Sequence, residues 1–495
     1  MRGSDLDVAA HVRMGALRWL HSIDLDPGSR TYGIADREFW AWKTKDFPNA
    51  TWQSGLAGFA DSYGLLGISD AQAASIVSAI LAGSKNLQRS SGSFEEAYPY
   101  EDSYAVTALV LFSLLYAYYR RPGWFGRTEE KLLAEIAAPA IAFLKKTPET
   151  HGLISNHLAA GLLAAALAGK YLGIPSDSSL STLFALQDSQ EGWFPEYGSA
   201  DPGYQTLLNH YLAAALALGW ELDTAPLRKS VEFIAHFCFP DGSFSGEMGS
   251  RGTSIFYPSG SVLFDGGRPA LSVASSWFEE MHRASSDCVC PISVDSGNFA
   301  PVFNSWALYA ALSSAAARPQ PEESRTGATV FRNAGMAVAW SQQGRLAVSW
   351  HNGALRKAEK KEGVFQDASV VAFTRGESST QLSRPRLISL DESGVACRLY
   401  AAPRKQALPG PLSLAAVRAM GAAGYLCPPF HRLVKRLLAR HLMGGSEAGT
   451  DTGITVTANF RTLAVSIDSA DGWRLEHHGF HRHMASANSF TSRAL

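Results

Sequence analysis

Residues 191–216 read EGWFPEYGSADPGYQTLLNHYLAAAL, and the stretch changes character partway along. A glycine turn, two aromatics, a carboxylate and a tyrosine give way to an Ala/Leu helix. Asp201 is a good N-cap and Pro202 suits the first helical position, which sets Tyr204 in the first turn. Tyr204, Leu208, Tyr211 and Ala215 follow at i, i+4, i+7 and i+11 and share one face.

The pattern returns along the chain. SGSFEEAYPYEDSYAVTAL starts at Ser91 and DGSFSGEMGSRGTSIFYPSGSVL at Asp241, while HGLISNHLAAGLLAAAL from His151 fills the same slot in a weaker form. The full copies share a glycine turn, an aromatic two residues on, a glutamate, a spacer, and a Tyr leading to an apolar segment. Spacings of about 40 to 60 residues fit one helical hairpin per copy, and about six such hairpins can close into a ring. The glycine-aromatic turns then fall at one mouth. The segment SSAAARPQPEESRTG (313–327) breaks this texture, and short β-branched runs such as GMAVAW, SVVAF and GITVTANF follow. The expected fold is therefore mainly α with a β domain. An incomplete or closed (α/α) toroid spans residues 1–315, a linker 316–327, and an antiparallel β-sandwich 328–495, with an inserted helix near 429–443.

Acidic and basic residues number 45 and 44, so no global field draws in nucleic acid or membrane. A charged fraction of 18% and an aromatic fraction of 11% suit a buried globular enzyme. Cys238, Cys288, Cys290, Cys397 and Cys427 make neither a disulfide framework nor a four-ligand zinc site, and point to a reducing compartment. No apolar run reaches the ~20 residues of a membrane span and no leader is visible, so the chain as written is expected in the cytoplasm, although MRGS is also a common vector start. No metal or cofactor is expected.

In LISNHLAAGLL, Ser155 can cap a helix whose first turn carries Asn156 and His157, at the same mouth position as Tyr204 one hairpin on. Residues 32–53, YGIADREFWAWKTKDFPNATWQ, crowd Arg37, Trp40, Trp42 and Lys43 together. Aromatic faces beside cations and carboxylates grip sugar rings. Arg251 adds a cation near Tyr257, and Glu95, Trp193, Glu196, Tyr197 and Glu247 line the remaining turns as candidate substrate contacts. Aromatics at helical spacing also serve simple packing, and an Asn-His pair at a helix start also serves capping.

An Asn-His pair opening one helix, a later glycine-aromatic-glutamate turn with Tyr on the next inner helix, and a C-terminal β domain together resemble the heparinase II/III and alginate lyase group of polysaccharide lyases. The resemblance implies an α/α toroid with an antiparallel β-sandwich, acting on an acidic, uronate-containing oligo- or polysaccharide. It implies that Asn156 neutralises a uronate carboxylate, His157 helps abstract the C5 proton, and Tyr204 protonates the departing O4; for Tyr204 to serve as a base it would need a nearby cation such as Arg251 or Arg37. That chemistry needs the carboxylate charge offset and an acid and base within reach of the glycosidic bond. The group often opens its β domain with an H-x-H-x-D-like stretch, where this chain has SWHNGALRK with His351 alone. A uronyl C5-epimerase, a glycoside hydrolase using Glu196 and Asp201, or a non-catalytic glycan-binding protein are the alternatives.

Weaker features remain. EHHGFHRH would set His477, His481 and His483 on one strand face, which could bind Zn but reads first as a surface strand; PPFHRLVKRLLARHLMGG sets Arg432, Lys435, Arg436 and Arg440 on one helix face, which could touch an anionic polymer or membrane surface but reads first as a solvated helix packed on the β domain. FALQDSQEGWF resembles the Q…GxW repeats of triterpene cyclases, but the only near match to their D-x-D-D acid is DLDV at residues 5–8.

Overall fold

A computed structural model describes residues 8–149, 153–176, 179–238, 244–253, 255–262 and 289–313. In the C-terminal part it describes 327–341, 344–350, 355–359, 365–367, 372–375, 378–382, 386–403, 410–427, 429–430, 433, 450–468, 474–476, 480–484 and 487–490. The helical part runs α1 (Val8–Leu20), α2 (Arg37–Trp40), α3 (Leu56–Ser62), α4 (Asp70–Leu87), α5 (Tyr104–Arg120) and α6 (Arg127–Lys146). It continues with α7 (Ser155–Leu172), α8 (Ser181–Phe184), α9 (Pro202–Ala217), α10 (Thr224–Ala235), α11 (Ser259–Val262) and α12 (Phe299–Ser313).

Packing sorts these helices into two sets. α5 packs on α7, α7 on α9, α9 on α11, α11 on α12, α12 on α3, and α3 on α5. Along this circuit the helices are apolar nearly all round, as buried helices must be; α9 buries almost every residue from Pro202 to Ala215. By contrast, α6 and α10 bury one stripe and turn charges outward. Among the described residues, three connections leading to inner helices turn tightly at a glycine. Gly33, Gly92 and Gly192 all take positive φ (80°, 90° and 84°). A Cβ at these positions would overlap the backbone of Ala79, Pro139 and Lys229 respectively, each on the neighbouring outer helix.

The turn is then locked from the next inner element. The amide two residues past each glycine donates to a buried side chain there: Ala35 to Gln53 Oε1 (2.7 Å), Phe94 to Thr107 Oγ1 (2.9 Å) and Phe194 to Gln205 Oε1 (3.1 Å). Gln205 Nε2 in turn reaches Gly192 O and Ser230 Oγ (2.9 Å), so one side chain satisfies the turn and the outer helix together. The Gly33 turn is a further copy of the repeat. Gly152 and Gly242 lie outside the described residues, as do Asp5, Leu6 and Asp7 of the DLDV stretch, whose Val8 opens α1.

From Gly327 the chain is mostly strand. β1 (Pro195–Glu196) and β2 (Ser199–Ala200) form a small hairpin within the helical part. β3 (Gly327–Phe331), β4 (Met336–Ser341), β5 (Gly344–Ser349), β6 (Leu355–Glu359) and β7 (Phe365–Asp367) make an antiparallel meander. The strands β8 (Ala372–Arg375), β9 (Ser378–Leu382), β10 (Arg386–Leu390), β11 (Gly394–Pro403), β12 (Thr450–Asn459), β13 (Val465–Asp468) and β14 (Arg474–Glu476) make a second sheet. A hairpin of β15 (Phe480–Met484) and β16 (Ala487–Phe490) stands apart in pairing, and α13 (Pro411–Leu426) joins β11 to β12.

Strand alternation decides what β4 touches. Met336 and Val338 join the helical core, while Ala337 and Ala339 join a second buried cluster with Val395, Cys397, Ile454 and Val456 of the other sheet. Phe331 stacks on Phe237 (5.9 Å, 27°), and Glu191 accepts from the amides of Asn333 and Ala334, both at 2.9 Å. The first residue of the quoted stretch therefore holds the β3–β4 turn.

The helix expected near 429–443 falls almost wholly outside the described residues, as does His477, while His481 and His483 lie on β15. No helix of the described chain is long and apolar enough to cross a membrane.

Replacing Gly192 with Ala is expected to cost more than ~2 kcal/mol, because strain at positive φ adds to overlap with the Lys229 backbone. Gly173→Ala, at φ 64° but in open space, is expected to cost only ~1 kcal/mol. Thermal and urea midpoints of the two variants provide the comparison.

Candidate functional site

The N-termini of α7 and α9 are joined by two buried carboxyl groups. Glu196, 0% exposed, accepts from the Asn156 amide through Oε1 (3.0 Å) and from Asn156 Nδ2 through Oε2 (2.8 Å). It thereby supplies the α7 N-terminus with the acceptor that Ser155 was placed to give. Ser155 is instead the first helical residue, and its Oγ donates to Pro195 O at 2.7 Å. Beside that bond, a single antiparallel bridge pairs Ile154 with Glu196 and brings the two segments side by side.

Asp201, also 0% exposed, caps α9 as its sequence position suggests, accepting from the Tyr204 amide through Oδ1 (2.8 Å). Its other oxygen accepts from the amide of Arg251, again at 2.8 Å. Ser250 closes the loop by donating its hydroxyl to Glu196 O (2.6 Å). Asn156, Tyr204 and Arg251 are thus fixed through one hydrogen-bonded frame.

Burial governs the acid-base character of this frame. It pushes Glu196 well above the carboxylate range, against the pull of the Asn156 bonds. It raises Asp201 to about 7, although the Tyr204 and Arg251 amides and the Arg251 charge favour its ionised form. Tyr204 is driven well above its ordinary value by burial and by the neighbouring Tyr257 and Tyr197, with Arg251 opposing. Tyr197, held at φ 55°, lies beneath the Arg251 guanidinium, 4.0 Å from its ring centroid. Burial raises its phenol to about 12. Among the described residues no carboxylate forms an ion pair with the Arg251 guanidinium, and its buried Nε has no acceptor.

His157 brings a partner that the sequence did not announce. Its Nδ1 lies 2.8 Å from Glu149 Oε2, so a neutral ring donates Nδ1–H to the carboxylate and keeps the lone pair on Nε2. Glu149 stands eight positions earlier, where no helical spacing links the two.

Three residues expected to touch substrate are buried. Glu196 and Tyr257 are 0% and 2% exposed, and the Tyr257 amide is held by Thr206 Oγ1 at 2.9 Å; both stand behind the site as supports. Glu95 is likewise buried and paired with Arg89. Trp193 is half-buried and donates to Glu191 Oε2 at 3.0 Å. Arg37, Trp40 and Trp42 form a group of their own: the Arg37 guanidinium lies 5.2 Å from the Trp40 ring and 5.9 Å from that of Trp42, and Trp40 Nε1 donates to Ser22 O. Lys43 is exposed beside them, and no contact of these four reaches the Asn156–Tyr204 frame among the described residues. The Glu247 side chain lies outside the described residues.

Below Tyr204, α9 faces the 253–260 segment. His210 Nδ1 meets Ser259 Oγ at 2.8 Å, and Ser259 Oγ meets Ser305 Oγ at 2.9 Å. Burial lowers His210 to about 3, so this ring stays neutral and acts as a pin.

No family model matches the chain and no curated protein matches it. Among solved structures, it is similar to a xanthan lyase from Paenibacillus, at 12% identity over 80% of this chain and 44% of that one, TM-score 0.46. It is also similar to the chondroitin AC lyase of Streptomyces coelicolor A3, solved with chondroitin sulphate, at 14% identity over 80% and 67%, TM-score 0.44. Both are polysaccharide lyases with an α/α toroid fold. A type II terpene cyclase, MstE from Scytonema, matches at 61% and 98% coverage with a TM-score of 0.36. The chain spans less than half of the xanthan lyase, and likeness of this extent carries no inference about activity.

Two outcomes follow from the buried carboxyl groups. Because both are raised in the folded state, their contribution to stability is present at acid pH and falls as pH rises, for Asp201 from about 4 to about 7. The melting temperature of Asp201→Asn is therefore expected to depend less on pH than that of the parent across this window. For Glu196, whose neutral form burial favours, Glu196→Gln is expected to stay within ~1 kcal/mol of the parent in urea unfolding, whereas Glu196→Ala loses ~2 kcal/mol or more.

Proposed function

We propose that this chain is a carbohydrate-active enzyme that cleaves an acidic, uronate-containing polysaccharide by β-elimination. In this reading residues 1–315 form an (α/α) toroid that carries the chemistry, 316–327 a linker, and 328–495 an antiparallel β-sandwich packed on it. The observation that carries the proposal is the frame itself: Asn156, Tyr204 and Arg251 are held together by Glu196 and Asp201, with His157 next in sequence to Asn156.

Each group suits one need of the reaction. A C5 proton becomes acidic enough to remove only when the adjacent carboxylate is offset, and Arg251 brings a cation that no carboxylate among the described residues pairs. Asn156 has one buried amide atom, Oδ1, with no hydrogen-bond partner. Asn156 is itself only 1% exposed, so its part in offsetting the substrate carboxylate requires the turn above it to open; exchanging its amide O and N, with Glu196 in the protonated form that burial favours donating Oε2–H to Oδ1, then makes that orphan an N–H donor. His157, oriented by Glu149, takes the C5 proton on Nε2. The electron pair released at C5 forms the C4–C5 double bond as the C4–O4 bond breaks. Tyr204, protonated at neutral pH, gives its proton to the departing O4.

Hydrolysis by Glu196 and Asp201 is disfavoured, because both are fully buried and committed to backbone amides.

Incubation with a panel of uronate polymers is expected to yield the ultraviolet absorbance of an unsaturated uronate, with Tyr204→Phe lowering turnover ~100-fold or more at an unchanged melting temperature. New reducing ends without unsaturation would sink the elimination in favour of hydrolysis. C5 exchange with solvent, without cleavage, would replace it by epimerisation, and binding without either would leave a glycan-binding protein.

A further inference from the structure

Gly161 stands in the interior of α7, where glycine weakens a helix relative to alanine. A Cβ there would lie 2.6 Å from Tyr104 Oη on α5 and 3.3 Å from its Cζ, so the glycine makes room for one hydroxyl. The next neighbour, Ala108 Cβ, would be at an ordinary 3.6 Å. Phenylalanine at 104 would fill the same core and remove the obstacle.

The hydroxyl is costly in a second way. Tyr104 is 9% exposed, and among the described residues its oxygen has no hydrogen-bond partner. The other three tyrosines of α5 are engaged: Tyr116 donates to Asp61 Oδ2 (2.8 Å), Tyr118 to Glu130 Oε1 (3.0 Å) and Tyr119 to Leu218 O (3.0 Å). A nearly buried phenol without a partner forfeits its hydration. The Tyr104 oxygen is nevertheless not fully enclosed, so a molecule entering beside it can reach it.

Its place in the fold says which molecule. Tyr104 opens α5 directly after the Ser103 cap, as Tyr204 lies in the first turn of α9. Gly161 is one turn along α7 from His157, so the phenol sits against the helix face that carries His157. Burial, and after it the charge of Glu149, raise the phenol to about 12, so it keeps its proton and donates. The Glu149 side chain, 4% exposed and 2.8 Å from His157, repels an anionic group there, and a sugar hydroxyl is the acceptor that fits.

We propose that Tyr104 is a substrate-binding residue whose phenol donates a hydrogen bond to a hydroxyl of the uronate on which His157 acts. The helices α5, α7 and α9 then each bring a first-turn side chain to one sugar: Tyr104, His157 and Tyr204. The contact rests on the reading of this cleft as the site of elimination, and it adds selectivity. A sugar lacking the hydroxyl would leave the phenol unpaired in a site shaped around it.

The test measures the affinity of uronate hexasaccharides by titration calorimetry in the Tyr204→Phe background, and kcat/KM on the polymers with Tyr204 intact, each with and without Tyr104→Phe. Tyr104→Phe is expected to weaken binding ~5-fold or more and to lower kcat/KM by a similar factor, at an unchanged melting temperature. Gly161→Ala, which pushes the hydroxyl aside, is expected to weaken binding ~3-fold or more beside Tyr104 and less than ~2-fold in Tyr104→Phe protein. Affinity indifferent to Tyr104→Phe overturns the proposal. So does a loss from Gly161→Ala that is equal in both backgrounds, or one that tracks a fall in melting temperature. Tyr104-dependent binding without cleavage by the parent keeps the contact and sinks the elimination, whereas cleavage indifferent to Tyr104→Phe does the reverse. A parent that neither binds nor cleaves overturns both.

Discussion

The carboxyl group of Glu196 is the contact on which the candidate site depends. A helix leaves its first amides without partners, and α7 meets this need with an acid from the next hairpin in place of a residue of its own. Long-range capping of this kind welds two repeats at the point where both present polar groups. Ser250, bonded to the Glu196 carbonyl, draws a third segment to the same place, and with it Arg251. Isolated from water and held by donors, the acid is more a structural group than a reagent, and the groups around it inherit their positions from it.

The same economy recurs lower in the fold. Gln53, Thr107 and Gln205 each satisfy a turn amide from a buried position on the next inner element. Unpaired, each would leave a desolvated polar atom at a cost of ~1–3 kcal/mol; paired, they fix how far each hairpin leans on its neighbour. Glycine at the turn permits the approach, and the buried side chain keeps it. The repeat is therefore a unit of hydrogen bonding as much as a unit of sequence.

The change from helical to strand texture was legible because periodicity reports local burial, and the helix cap at Asp201 was legible because capping is local. The copy at Gly33 was missed because its turn continues with Ile34 and Ala35, without an aromatic to mark it. Glu149 beside His157, and Asp201 on Arg251, depend on where distant segments come to rest, which no window of sequence records. The burial of Glu196 ran against the ordinary tendency of glutamate to face water, so the sequence reading set it at the substrate. Helix α13 was missed for a different reason: its apolar run lay between strands and lacked the polar face that marks a surface helix.

Glu191 gives the two parts of the chain a shared fate. Its carboxylate receives the amides of Asn333 and Ala334 from the turn between β3 and β4, yet it begins the very stretch that carries Tyr204. A recombined protein that took its β part from another lineage would have to bring a turn offering the same pair of donors. Otherwise the acid would be left facing an interface without them, with Gly192 and the site only a few residues away. The boundary at which the sequence changes texture is thus a poor place to cut, and variation in either part is constrained by the other.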